Sequence, residues 1–283
     1  LNNIRMIPCD GHGKMNLKEL VSSIKSSIKN GERPFFIGAT AGTTVRGVFD
    51  PIEEIAIICK QYNLWFHIDG SWGGSALLSE KHRSLIKGSE CSDSFTWCAH
   101  KMMGIPLMCT SIVLKDRTLL KHINSVPGTD YLFHGDDDEL DLGLHSLQCG
   151  RRVDSLKLWL AWKYIGDGGY ENRIDHLFSL AKLAESKVKQ LKSLKLLSPV
   201  ESLNICFRIE MPLVDESRWN ELTIKVRERL IAETDTLVNH ASINDESCIR
   251  LIIANFDLTP EDIDKFMNNV ETITQKVIHE LDS

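Results

Sequence analysis

No stretch of this 283-residue chain approaches the roughly 18 consecutive apolar residues that a membrane span needs. No C-x-x-C pair occurs among its eight cysteines. That spacing excludes the common structural zinc sites. Cys59, Cys109 and Cys206 lie in apolar runs and read as small core residues of a reducing, cytoplasmic setting. There is no excess of positive charge: the net charge is −6, which argues against nucleic acid or an anionic membrane as partner. Internal repeats and low-complexity tracts are also missing. His67-x-Asp69 has no third or fourth ligand at metal-site spacing, so no metal is expected. The acidic run Asp136–Asp138 lacks the spaced ligands and central glycine of a calcium loop. Gly42-Thr43-Thr44 is not a Walker-type phosphate loop. Leu1 is followed at once by ordinary domain sequence, without a signal peptide or an initiating Met. The chain is therefore expected to be a piece of something longer.

What is present is an ordinary globular composition, 42% hydrophobic and 25% charged, with an alternating pattern. A short strand-like start runs into the Gly-rich turn Asp10–Met15. Asn16 is placed to cap a helix running to about Lys29, with Leu17, Leu20, Val21, Ile24 and Ile28 at helical spacing. Pro34–Thr40 reads as a buried strand that enters the hydroxyl-rich loop Ala41–Thr44. A helix begins at Asp50-Pro51, with Pro51 at its first position, and Leu64–Asp69 is the next strand. Helix, strand, loop, helix, strand is the alternation of an α/β fold with a parallel sheet.

Further along, residues 79–90 read as a short polar helix, and Asp93–Trp97 and Cys109–Leu114 as strands. Residues 124–141 carry no periodicity and read as a functional lid or a disordered segment. Long helices are expected over Leu144–Ile165 and over about 170–193, separated by Gly166. A boundary near 190–200 divides 1–193 from 194–283. The second part reads strand, helix, two strands, helix: Asn204–Glu210, 215–233, Leu237–Ile243, Cys248–Ile253, and a last helix from Pro260 capped by Thr259. That is a small α+β layer.

Two segments organise the chain, His67–Gly74 and Thr96–Gly104. Each opens with an apolar, strand-like run and ends in small and polar residues. A parallel sheet presents such residues at its carboxyl edge. Asp69 at one edge position and Lys101 at another form the pair that a pyridoxal phosphate site needs. The amine condenses with the cofactor aldehyde, and the carboxylate keeps the pyridine nitrogen protonated. Lys101 sits among Phe95, Trp97, Met102, Met103 and Ile105, which is unlike a solvated surface lysine.

Five motifs follow one another in order: Gly42-Thr43-Thr44, His67-Ile68-Asp69, His100–Gly104, Tyr131-Leu132-Phe133 and Gln148–Asp154. On them the chain resembles the group II pyridoxal-phosphate-dependent amino acid decarboxylases. These include the animal-type glutamate, cysteine sulfinate and aspartate decarboxylases and, further off, aromatic amino acid decarboxylase. The resemblance covers nearly all of residues 5–190 and fades beyond. It implies the aspartate aminotransferase-like fold (fold type I): a partial large domain with a mainly parallel sheet, plus a C-terminal α+β small domain. It implies a homodimer, pyridoxal phosphate as cofactor, and decarboxylation of a small acidic amino acid.

Carried over by residue, Lys101 is the lysine that binds the cofactor covalently, and Asp69 pairs with the pyridine nitrogen. Thr44 lies near the ring's 3′-oxygen and Asp69. Ser71 takes the place of a small residue packed on the ring face. His100 lies by the cofactor phosphate or the substrate. Tyr131 matches the tyrosine that returns a proton to Cα, and Arg151 an arginine that grips the substrate's distal acid group.

Two departures stand out. The family usually has Asn or Asp, often followed by Pro, where this chain has Cys98-Ala99, so phosphate anchoring there is expected to be rearranged. The upstream half of such enzymes, with its ring-stacking residue and Ser-containing phosphate loop, has no counterpart here. A non-catalytic, truncated homologue is thus an alternative. Transamination or β-elimination on the same fold is a further one, opposed by Tyr131 and the Arg151 motif.

Overall fold

Asn16 begins the first helix as its side chain dictates. Its Oδ1 accepts from the amides of Lys18 at 3.0 Å and Glu19 at 3.3 Å. The computed structural model, which describes residues 3–124, 142–146, 150, 152–212 and 214–281, then shows α1 over Leu17–Lys29. Leu20 and Ile24 point inward from it. The helix α2 covers Ile52–Tyr62, with Pro51 as its cap rather than its first helical residue. It stops at Asn63, whose φ of 52° is left-handed.

The strands β1 (Phe36–Thr40), β2 (Trp65–Gly70) and β3 (Ser94–Cys98) are parallel. A fourth, β4 (Thr110–Leu114), lies antiparallel to β3, giving the order β1-β2-β3-β4. Helical crossovers make the first three parallel, whereas the short 99–109 connection turns the chain back. The sheet is thus mainly parallel, as expected.

Its two faces differ. Ala39, Phe66 and Ile68 share a core with Leu20, Ile24, Ile52 and Ile55 from α1 and α2. The opposite face carries Phe36 at 47% exposure, Ile112 at 54%, and Asp69, also exposed. The expectation that Pro34–Thr40 is a buried strand is corrected here: within β1 only Ala39 is buried. A parallel strand is apolar on both faces because both are normally covered. Among the described residues only one is.

Residues 79–90 hold no α-helix, contrary to expectation. Three short 3-10 turns occupy Gly73–Leu78, Arg83–Ile86 and Ser89–Cys91. Ser79 Oγ bonds Asp175 Oδ1 at 2.5 Å and the Glu80 amide donates to Glu171 Oε1 at 2.9 Å, tying this stretch to a later helix. After a single-turn helix α3 (Leu119–Asn124), that helix is α4, Asp154–Gln190. It starts ten residues later than the expected Leu144, since Leu142–His145 forms a 3-10 turn. Gly166 breaks it with φ 74°, where the sequence placed the division. Beyond the break Tyr170, Ile174, Leu177, Ala181, Ala184 and Val188 form one buried stripe.

From Ile174 onward that stripe packs on a second, antiparallel sheet of order β5-β6-β8-β7, while Tyr170 packs with Met103 and Ile105. Its strands are β5 (Leu194–Leu196), β6 (Asn204–Ile209), β7 (Asn239–Ile243) and β8 (Glu246–Ile252). The helices α5 (Trp219–Glu233) and α6 (Pro260–Leu281) pack against the same core. Thr259 caps α6 reciprocally: its amide donates to Asp262 Oδ2 at 2.8 Å, and the Asp262 amide returns to Thr259 Oγ1 at 3.3 Å. The three-residue β5 is too short to show alternation in the sequence. Met102, from the Lys101 turn, is buried in this second core.

Candidate active site

The carboxyl ends of β1, β2 and β3 stand side by side, with Thr40 opposite Asp69 and Asp69 opposite Thr96. The loop bearing Thr44 leaves β1, Asp69 and Ser71 sit at the end of β2, Cys98 ends β3, and His100 and Lys101 follow it. An open α/β sheet binds its ligands outside this edge.

The Lys101 turn is closed by its own backbone. The Lys101 amide donates to Cys98 O at 3.2 Å, Gly104 to Lys101 O at 3.0 Å, and Ile105 to Ala99 O at 3.2 Å. Met102 and Met103, 0% and 1% exposed, anchor it in two different cores. Lys101 itself stays half-exposed and, among the described residues, makes no ion pair. His100 Nδ1 lies 3.0 Å from both the amide and the carbonyl of Cys109, which fixes the ring against that residue's backbone. Cys98 is buried, its Sγ 3.3 Å from Thr110 Oγ1.

Asp69 spends one oxygen on the Ser71 amide, at 3.0 Å, and pairs with no described cation. The period-2 alternation of β2 puts His67 on the same face. The Trp65 indole donates to Ser94 Oγ at 2.8 Å. The Ser94 hydroxyl is then free to donate to His67 Nδ1, also at 2.8 Å. The other ring nitrogen faces Thr96 Oγ1 at 3.4 Å, and Phe36 stacks on the imidazole with centroids 5.9 Å apart. Burial pushes the His67 pKa down, and the nearby Asp69 carboxylate partly opposes this.

Thr44 is exposed at the tip of its loop, and no bond joins it to Asp69 among the described residues. Its carbonyl is taken by two side chains the sequence did not single out. Asn204 Nδ2 donates to it at 3.1 Å, and the Arg250 guanidinium also reaches it. Phe256 lies against Gly104 of the Lys101 turn. No local pattern could have revealed these contacts, because the bonded residues are 160 and 206 positions apart. Tyr131 and Arg151 lie outside the described residues.

A carboxylate and an amine that pair with no charged group among the described residues, on neighbouring strand ends, are the donor set that pyridoxal phosphate requires, so the residues present fit that cofactor. A fold of this kind with this pair defines the pyridoxal-phosphate enzymes of fold type I. Comparison narrows the class. Residues 1–210 match the pyridoxal-dependent decarboxylase conserved domain, and the chain belongs to that family.

Human cysteine sulfinic acid decarboxylase is 37% identical over 97% of this chain and 58% of its own length. The mouse acidic amino acid decarboxylase GADL1 is 34% identical over 96% of the chain and 52% of its own length. The chain thus spans little more than half of these curated relatives. The crystal structure of mouse CSAD in apo form superposes with a TM-score of 0.90 at 34% identity, covering 96% of this chain and 59% of that one. Rice TDC with PLP and tryptamine shares the fold, with a TM-score of 0.90 at 23% identity, covering 98% of this chain and 58% of its own.

Proposed function

We propose that this site decarboxylates a small acidic L-amino acid (glutamate, aspartate or cysteine sulfinate) with pyridoxal phosphate as cofactor, yielding the amine and carbon dioxide. The observation that carries it is Asp69 and Lys101 at adjoining parallel strand ends, neither ion-paired among the described residues. The chain's 37% identity to an acidic-amino-acid decarboxylase adds the substrate class.

Bound pyridoxal phosphate supplies the electron sink for the pair left behind when the carboxylate departs. Lys101 would hold the cofactor through its amine and yield that place to the substrate amine. Asp69 would keep the pyridine nitrogen protonated by a charge-assisted bond. Thr44 and Ser71 would lie by the ring, His100 by the phosphate or the substrate, and Cys98 near the phosphate. Arg151 grips the distal acid group with its planar fork. Tyr131 returns a proton to Cα.

The test is an absorbance scan of the purified chain with added pyridoxal phosphate, before and after borohydride, followed by peptide mapping. Visible absorbance that borohydride traps on Lys101, and that Lys101→Ala abolishes, is the expected result. A panel of acidic amino acids then reads carbon dioxide release. Tyr131→Phe should slow it, and Arg151→Lys should raise KM more than it lowers kcat. Random lysine labelling would overturn the assignment. The bare face of the first sheet favours a second reading, in which this chain alone takes up no cofactor and needs a covering partner.

A homodimer in the cytoplasm belongs to the same proposal. It is supported by the apolar stripe Leu156, Trp159, Leu160 and Tyr164, each 49% to 89% exposed on α4. Light scattering that gave a monomer at every concentration would sink it. We also read 1–193 and 194–283 as separate units. Limited proteolysis that never cut between them would count against that division.

A further inference from the structure

We propose that Asn204 is a positioning residue that holds the Thr44 loop in its cofactor-facing shape from the second sheet. The proposal rests on the cofactor reading above only for what the loop touches. The clamp itself stands on the geometry.

The loop leaves β1 and folds back on itself. Thr43 donates its amide to Val48 O at 2.9 Å, Gly47 donates to Thr43 O at 2.8 Å, and Val48 donates to Thr43 Oγ1 at 3.1 Å. These bonds fix the base and leave the carbonyls of Thr44 and Val45 pointing outward. Asn204, at the start of β6 and 0% exposed, meets both. Its Nδ2 donates to Thr44 O at 3.1 Å and to Val45 O at 2.9 Å. One amide group therefore meets two consecutive carbonyls. The same two acceptors require the NH2 group, not the oxygen, to face the loop. Cys206, two residues on and on the same face of β6, adds its thiol to Val45 O at 3.3 Å.

The approach is close. Gly47 sits at φ +69°, and a Cβ there would come 2.9 Å from Asn204 Cγ. The loop has no room to shift toward β6, and the two bonds keep it from moving away. Arg250 also reaches Thr44 O and the Cys206 thiol Val45 O, but only the Asn204 NH2 group joins the two carbonyls to one donor, so its loss loosens the clamp.

The experiment compares the full chain with Asn204→Ala and Asn204→Asp by hydrogen exchange and by trypsin cleavage after Arg46, inside the loop. Asn204→Asp keeps the shape but turns oxygens toward two carbonyls. Exchange over 42–48 should rise about tenfold or more in both variants, with β1 and β2 unchanged. Cleavage after Arg46 should speed up in step. Pyridoxal phosphate titration of the same proteins should show about tenfold weaker uptake. Unchanged exchange over 42–48, or a rise spread equally over the chain, overturns the clamp. If the unaltered chain takes up no pyridoxal phosphate, the function reading fails while the exchange result still decides the role of Asn204.

Discussion

Phe256 lies so close to Gly104 that a Cβ on the glycine would come 2.8 Å from its ring. The two residues belong to different parts of the chain, one to the turn that carries Lys101 and the other to the loop before α6. The ring is held in turn by the Arg173 guanidinium, 4.9 Å from its centroid. Gly104 also has φ +68°, a conformation that costs an L-residue about 1–2 kcal/mol. Gly104→Ala should therefore lose at least that much stability in urea unfolding and displace the Lys101 turn, seen as reduced borohydride trapping at Lys101. Adding Phe256→Ala should restore trapping by removing the clash, without recovering the backbone cost. Full trapping in the single variant would show that the turn absorbs the added methyl group.

His67 gives a pH dependence of known sign. Its pKa is depressed by burial, so the folded chain binds a proton there less readily than the unfolded chain does. Its contribution to stability is fully present above the ordinary value of 6.5 and is lost as pH falls through the depressed one. The urea midpoint should drop between about pH 7.5 and about pH 5.5, and His67→Gln should flatten that slope. A titration of the His67 ring by NMR should fall below 6.5. Equal slopes in the two proteins would remove His67 as the cause.

Much of this architecture was legible because its signals are local. The Asn16 cap, the apolar spacing of α1 and α2, the break at Gly166 and the Thr259 cap each lie within a few residues. Asp69 and Lys101 could be placed at strand ends because an apolar run followed by small polar residues marks an edge. What the residues could not show was what covers them. Phe36 is as apolar as Phe66, yet one is 47% exposed and the other 1%. The contacts that hold the site from behind, Asn204 on Thr44 and Phe256 on Gly104, join distant positions and leave no periodic trace. The polar helix expected at 79–90 failed for a related reason: its serine and backbone amide are bound to α4.

Cys98 makes the last prediction. It ends β3 on the face that also carries Ser94 and Thr96, two residues beyond the Thr96 that faces Asp69 across the β2–β3 pairing. Its thiol meets Thr110 Oγ1 at 3.3 Å and offers only a weak donor. The resembled family usually places Asn or Asp here, with polar contacts near the phosphate. Asn carries an acceptor that can keep the Thr110 hydroxyl and an NH2 group that can face an anion. A hydrogen bond to a charged group contributes about 1.5–3 kcal/mol, which corresponds to about tenfold or more in affinity. The site is tight, at 7% exposure, and the larger side chain costs part of that gain. Cys98→Asn should therefore bind pyridoxal phosphate several-fold more tightly in an absorbance titration. Equal or weaker binding, with thermal unfolding unchanged, would mean that position 98 does not reach the phosphate and that this chain anchors it elsewhere.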